Sequence, residues 1–281
     1  MKIGMSTATF FGKLLTEDAI IKIQELGIDI AEVFLTTFSE YEPKFIDLLL
    51  ERKGELDIYS VHSLNNHYEP ELFNVVPRTR GDAEVLFNKV VVGGARLGAC
   101  SYTFHGPSRF KVVDYKLDFQ RIGSRAKTLA EMSIAHGVNL TYENVSWAFY
   151  SQPGYFKELH NYAPNLKGCL DIKQAMQSYR FRNDIKGRAL NKDEQDALKD
   201  YTYSYIDDMA DNLINVHLCD YDETGKLTAP GKGIFDFKGL INKLQDSGYD
   251  GPMMIELYSG DYSDYNELAD SITYLRSFIG G

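Results

Sequence analysis

The feature that most constrains this chain is a repeating unit: a short apolar run, one ionisable residue near its end, then an amphipathic segment. Residues 213–222, LINVHLCDYD, are its plainest instance. Ile214, Val216 and Leu218 form the apolar part, and His217, Asp220 and Asp222 fall at or just past its end. Such a run suits an inner strand of a parallel sheet with chemistry at its C-terminal tip. Comparable residues in the other apolar runs are Glu32, His62, His105, Glu143, Asp171 and Glu256. They recur at intervals of roughly 30–45 residues, the size of one βα unit in a barrel of eight.

The periodicities predict strands over 2–10, 28–35, 57–64, 99–105, 139–145, 166–172, 213–222 and 253–257. Helices are expected over 16–26, 43–52, 79–97, 115–136, 154–162, 194–212, 236–247 and 267–278. Gly27, Gly54, Gly98 and Gly137 punctuate the first four, Pro43 suits a first helical turn, and Asp236 suits an N-cap. The stretch 174–193 reads as polar and irregular. Eight strands alternating with eight helices, without a linker, predict the α/β class and a single (β/α)8 TIM barrel over 1–281. A doubly wound open sheet competes, but Thr7-Ala8-Thr9-Phe10-Phe11-Gly12 after the first strand has no GxGxxG phosphate loop.

Charge excludes several functions. A formal net charge of −10 disfavours non-specific binding to nucleic acid or an anionic membrane. No apolar run approaches the ~20 residues that span a bilayer. MKIGMSTATF enters a strand directly, without a signal peptide, so a cytoplasmic protein is expected. Cys100, Cys169 and Cys219 form no CxxC and read as small buried hydrophobes in a reducing compartment. The 19 tyrosines and 16 phenylalanines exceed one core's needs and point to a homo-oligomer.

In a barrel the C-terminal strand ends share one mouth. Glu143, Asp171, His217 and Glu256 come from four consecutive strands and would surround one point there. Three carboxylates so placed repel one another and raise each other's pKa, and a divalent cation relieves this. One imidazole with three carboxylates is a borderline-hard donor set, suited to Mn²⁺ or Mg²⁺ and acceptable to Co²⁺ or Zn²⁺.

The chain resembles the xylose isomerase-like TIM-barrel superfamily, which holds sugar isomerases and epimerases, inosose dehydratases and type IV endonucleases. The carriers are Ser60-Val61-His62-Ser63, Phe104-His105-Gly106, Tyr142-Glu143-Asn144 and Leu170-Asp171-Ile172. Val216-His217-Leu218-Cys219-Asp220, Pro230-Gly231-Lys232-Gly233 and Ile255-Glu256-Leu257 complete the set. The resemblance implies one divalent metal ion held by Glu143, Asp171, His217 and Glu256. It further implies that Glu143 and Glu256 exchange protons with a sugar or sugar phosphate through an enediolate.

Among substrate contacts, the resemblance implies His62 and His105. Trp147, the single tryptophan, either stacks on a sugar face or packs beneath its loop. Lys232, between two glycines, either reaches the ligand or marks a turn. Gln174 stands where the family often has a histidine, which alters substrate contacts and leaves a single-metal site intact. The basic stretch 178–188 either folds over the mouth to hold an anion or is a solvated loop. His67, His136 and His160 receive no role.

The expected activity is therefore a metal-dependent isomerase or epimerase acting on a small carbohydrate. An inosose-type dehydratase, a non-catalytic sugar-binding barrel and an AP endonuclease-type phosphodiesterase are the alternatives. Leu227-Thr228-Ala229-Pro230 lacks the Asp-x-His that a three-zinc endonuclease needs after strand seven.

Overall fold

The computed structural model describes residues 1–64, 68–108 and 118–279. Its centre is a closed barrel of eight parallel strands: β1 (Lys2–Ser6), β2 (Ile30–Leu35), β3 (Asp57–Ser63) and β4 (Ser101–Phe104), then β5 (Asn139–Glu143), β6 (Lys167–Asp171), β7 (Leu213–Leu218) and β8 (Pro252–Ile255). Neighbours in sequence are neighbours in space, and β1 closes on β8 with Lys2 opposite Pro252 and Met5 opposite Ile255. This is the (β/α)8 architecture that the repeating unit predicts.

Around it lie α1 (Thr16–Glu25), α2 (Pro43–Arg52), α3 (Pro77–Leu97), α4 (Phe119–Ile134), α5 (Tyr155–His160), α6 (Ile172–Arg182), α7 (Lys192–Met209), α8 (Phe237–Asp246) and α9 (Tyr265–Arg276). Their starts follow from local chemistry. Pro43 and Pro77 open α2 and α3. Asn191 and Glu194 make a reciprocal capping box on α7. Asp236 and Asp264 cap α8 and α9 through backbone N–H groups. The start expected at Tyr115 for α4 lies outside the described residues, as does His67.

Three expectations need correction. Strand seven, expected over 213–222, ends at Leu218, and Asp220–Tyr221 pair instead with Leu227–Thr228. The first strand is shorter than 2–10, because Thr7–Phe10 turn into a 3-10 helix capped by the Ser6 hydroxyl. Residues 174–182 are not irregular but belong to α6, which makes nine α-helices among the described residues. Periodicity missed α6 because its buried side chains include Lys173, Gln174, Ser178 and Arg180. A helix that buries polar groups on most sides has no apolar stripe to detect.

The core lies between barrel and helices, with Ile3, Val33, Val61, Tyr102, Leu140 and Val216 among its fully shielded strand residues. Tyr41, Tyr68, Tyr142, Tyr150 and Tyr205 are also fully buried, so much of the aromatic surplus is internal rather than a subunit face. Cys169 and Cys219 are buried and Cys100 is half-buried, all three free. No helix among the described residues is long and apolar enough to cross a membrane.

Asp208 on α7 shows how the helical layer is fastened. Its carboxylate accepts the backbone N–H of Phe156 at 3.1 Å and of Lys157 at 3.0 Å, and the Tyr150 hydroxyl at 3.1 Å. It therefore caps the short α5 from a neighbouring helix. Asp208→Ala leaves three donors without an acceptor and is expected to cost about 2–4 kcal/mol in urea unfolding. A change below about 0.5 kcal/mol would show that α5 is held by packing alone.

Candidate active site

The C-terminal strand ends converge as the repeat requires. Glu143 and Asp171 are the last residues of β5 and β6, His217 is next to last in β7, and Glu256 follows β8 directly. Register sets their heights, with Asp171 opposite His217 and Met254 opposite His217. The Glu256 N–H bonds Leu218 O at 2.9 Å, which extends the last strand by one residue into the mouth. All four side chains are buried.

His217 is the hub. Its Nδ1 lies 3.1 Å from Glu256 Oε2, 3.5 Å from Glu143 Oε1 and 4.0 Å from Asp171 Oδ2. Ligand atoms of Glu143, Asp171 and His217 all fall within 4.8 Å of one another. Glu143 Oε2, Asp171 Oδ2, His217 Nδ1 and Glu256 Oε2 are all buried and face ionisable neighbours: His105 lies 3.0 Å from the first, Lys173 3.4 Å from the second, and the last two stand 3.1 Å apart. Buried carboxylates crowded around one imidazole are costly, and a group of this make-up could hold a cation.

A second layer fixes these groups. Below His217, Glu32 Oε2 faces His217 Nε2 at 3.2 Å and accepts from Ser60, Thr103 and Asn215 at 2.7, 2.8 and 3.2 Å. A carboxylate on one imidazole nitrogen turns the other toward the mouth, as in metal-binding histidines generally. Burial alone would raise the Glu32 pKa, but His217, His62 and the Ser60 hydroxyl hold it well below the usual carboxylate range.

Across the mouth, His105 Nε2 lies 3.0 Å from Glu143 Oε2 and His62 Nε2 lies 3.6 Å from the same atom. These three residues also bring ligand atoms within 4.8 Å of one another. Glu69, fully buried, aims His105: it faces the ring Nδ1 at 3.3 Å and accepts the His105 backbone N–H at 2.9 Å. It also accepts from Ser63 and Tyr102 at 2.9 and 2.6 Å. The chain then turns at Gly106, whose φ of +74° and contact with the Tyr142 ring leave no room for a side chain.

Asp171 serves two structures at once. Its Oδ1 accepts the Gln174 N–H at 2.9 Å and caps α6, while Oδ2 faces the mouth. Burial and the nearby Glu143 and Glu256 push its pKa up to about 7, against the attraction of Lys173. Lys173 is buried too, with Nζ 3.4 Å from Asp171 Oδ2 and 3.2 Å from Glu256 Oε1.

Of the other expected contacts, Trp147 lies at the rim, 40% exposed, with its ring 5.6 Å from His105. Gln174 turns instead to the loop after β5, where Oε1 accepts the Ser146 N–H and hydroxyl at 3.0 and 2.8 Å. Lys232 is half-exposed beside Asp270 of α9 at 3.7 Å and is not among the residues brought to the cluster. Its loop is held by Asp220, which accepts backbone N–H groups from Tyr221, Gly231, Gly233 and Phe235 at 2.8–3.0 Å. The basic stretch is occupied structurally: Arg180 is buried against the Arg188 and Glu223 carbonyls, and Arg188 pairs with Glu194.

Glu69 and Lys173 are the residues that sequence reasoning missed. Glu69 lies in what reads as a polar loop, and Lys173 sits just inside α6. Glu32 was visible as a charge in an apolar strand, although its partners were not.

The family model described as a xylose isomerase-like TIM barrel matches residues 20–278. No curated protein sequence matches the chain. Among solved structures, a D-tagatose 3-epimerase-like protein aligns with a TM-score of 0.76 and 18% identity, covering 99% of this chain and 97% of that one. D-psicose 3-epimerase from Clostridium cellulolyticum H10, solved with D-tagatose, gives 0.75 and 17%, covering 99% of each chain. The 3-keto-D-glucoside 4-epimerase of E. coli gives 0.72 and 16%, again covering 99% of each. At such identities the likeness is one of fold.

The His105–Glu69 pair gives a test on chelator-treated protein. Burial opposes a charged His105, but Glu143 and Glu69 hold its pKa up to about 10. A raised histidine pKa contributes stability that is complete below the unfolded value near 6.5 and is lost as pH rises through about 10. Glu69→Gln should lower the His105 pKa in an NMR titration. It should also shrink the fall in unfolding free energy between pH 7 and 10. An unchanged His105 titration would remove Glu69 from this role.

Proposed function

The chain belongs to the xylose isomerase-like TIM barrel family, and from that premise we propose a divalent-metal-dependent sugar isomerase or epimerase. The observation that carries this reading is the buried cluster of Glu143, Asp171 and His217, whose ligand atoms lie within 4.8 Å of one another, with Glu256 Oε2 3.1 Å from His217 Nδ1. Ligands about 2.1 Å from a small divalent ion stand roughly 3–4 Å from one another. The 3.1, 3.5 and 4.0 Å separations around His217 Nδ1 match that spacing. The donor set favours Mn²⁺ or Mg²⁺ and accepts Co²⁺ or Zn²⁺. When bound, such an ion supplies Lewis acidity toward a sugar carbonyl and its neighbouring hydroxyl.

The chain's own residues supply the rest. Glu143 at the end of β5 and Glu256 after β8 approach a ligand from different sides of the mouth. One removes the proton beside the carbonyl and the other returns a proton, to the same carbon in an epimerase or its neighbour in an isomerase. His105 and His62, held beside Glu143, are donors for substrate hydroxyls. Trp147 offers an aromatic face at the rim for the apolar side of a sugar ring. The names of the similar structures, ketose 3-epimerases and a keto-glucoside 4-epimerase, support a ketose or keto-sugar as substrate.

Elemental analysis of protein purified without chelators is expected to find about one Mn, Mg, Co or Zn per chain, depleted in Glu256→Gln. In deuterated water, ketoses should gain deuterium beside the carbonyl, and Glu143→Gln or Glu256→Gln should lower kcat about 10²–10⁴-fold. No bound ion after incubation with Mn²⁺ would overturn the reading. A product absorbing as a conjugated enone, in place of an exchanged sugar, would make the enzyme a dehydratase.

A further inference from the structure

Lys173 is a buried cation of the mouth to which the proposed chemistry gives no part. It occupies the second position of α6, where a positive charge opposes the helix dipole. An uncompensated lysine is costly there and in a buried mouth. Its position is accounted for by two carboxylates, Glu256 and Asp171, and by the Tyr258 ring 5.2 Å away.

The two carboxylates are shared with a metal ion in different ways. At Glu256 the oxygens divide: Oε1 accepts from Lys173 at 3.2 Å, and Oε2 faces His217 Nδ1 at 3.1 Å. At Asp171 they do not. Oδ1 is committed to the Gln174 N–H at the start of α6, so Oδ2 alone is left for the mouth. Lys173 Nζ lies 3.4 Å from that same Oδ2. Two cations therefore address one oxygen.

Resting on the metal reading above, we infer that Lys173 is an internal competitor of the divalent ion for Asp171 Oδ2. With the ion away, the ammonium balances Asp171 and Glu256, and the mouth keeps its shape. When the ion enters, like-charge repulsion moves Lys173 off Asp171 toward the Tyr258 ring face, while Glu256 Oε1 retains it. The site then holds its ion less tightly than the same donors would without the lysine, and the barrel folds without the ion.

The probe is Mn²⁺ alone, titrated calorimetrically into chelator-treated wild type, Lys173→Met and Lys173→Arg. Lys173→Met is expected to bind Mn²⁺ at least ten-fold more tightly than wild type, and Lys173→Arg to stay within about three-fold of it. Equal affinity of Lys173→Met and wild type overturns the inference while leaving the metal site standing. Binding by neither overturns the metal reading and this inference with it. Binding by Lys173→Met alone supports both. Should Lys173→Met fail to fold by circular dichroism, amine acylation of wild type read by mass spectrometry decides the matter. Lys173 labelling should rise several-fold with saturating Mn²⁺, and unchanged or reduced labelling overturns the inference.

Discussion

Four carboxylates, Glu32, Glu143, Asp171 and Glu256, are buried at one end of a single barrel. Removing an ion from water costs several kcal/mol even after relaxation, and like charges in one cavity add to that. The surrounding structure answers this constraint. Glu32 is settled deepest, with three neutral donors and His217 on one oxygen. Glu143 is drawn well below the carboxylate range despite its burial, by His105, His217 and His62. Asp171 is the least settled, since burial and two neighbouring glutamates act against one lysine. Its carboxyl is the weak point that a divalent ion would relieve.

The partners come from pieces of chain far apart in sequence, which is what the barrel accomplishes. Glu32 on β2 reaches His217 on β7, Glu69 beyond β3 reaches His105 beyond β4, and Lys173 on α6 reaches Glu256 beyond β8. One residue type serves three ends. Asp171 caps a helix with one oxygen and faces the mouth with the other. Asp220, two residues past β7, spends both oxygens on four backbone N–H groups of its own loop and leaves nothing for a ligand. Asp208 spends its carboxylate on α5. Proximity to a strand end does not by itself make a carboxylate functional; the number of N–H groups it already serves decides.

That distinction explains what was legible in the sequence. The barrel was, because short runs carrying apolar residues recur at a regular spacing and glycine, proline or a capping residue marks most helix boundaries. The positions of Glu143, Asp171, His217 and Glu256 were legible too, because each ends an apolar run where a charge has no structural reason to be. Glu69 was not, since a glutamate in a polar loop is unremarkable until the loop folds under His105. α6 was lost because its buried face is polar, and Lys173 was lost with it. For Lys232 and the basic stretch the sequence left two readings open; in the structure Lys232 sits by Asp270, and Arg180 and Arg188 tie carbonyls and Glu194 together.

The same accounting bears on what the mouth can hold. Arg180 and Arg188, the basic residues nearest in sequence to a phosphate clamp, have donors committed to backbone carbonyls and to Glu194. The inner wall carries four carboxylates, and the chain as a whole is acidic. Neither of these two arginines is free to take a phosphate as a bidentate donor. A neutral sugar meets no charge repulsion from that wall. In the proposed site its hydroxyls would meet His62 and His105, its apolar face Trp147, and two of its adjacent oxygens a cation. Lys173, paired to Glu256 and Asp171, already offsets part of the negative charge of that wall, and His105 beside Glu143 offsets more of it.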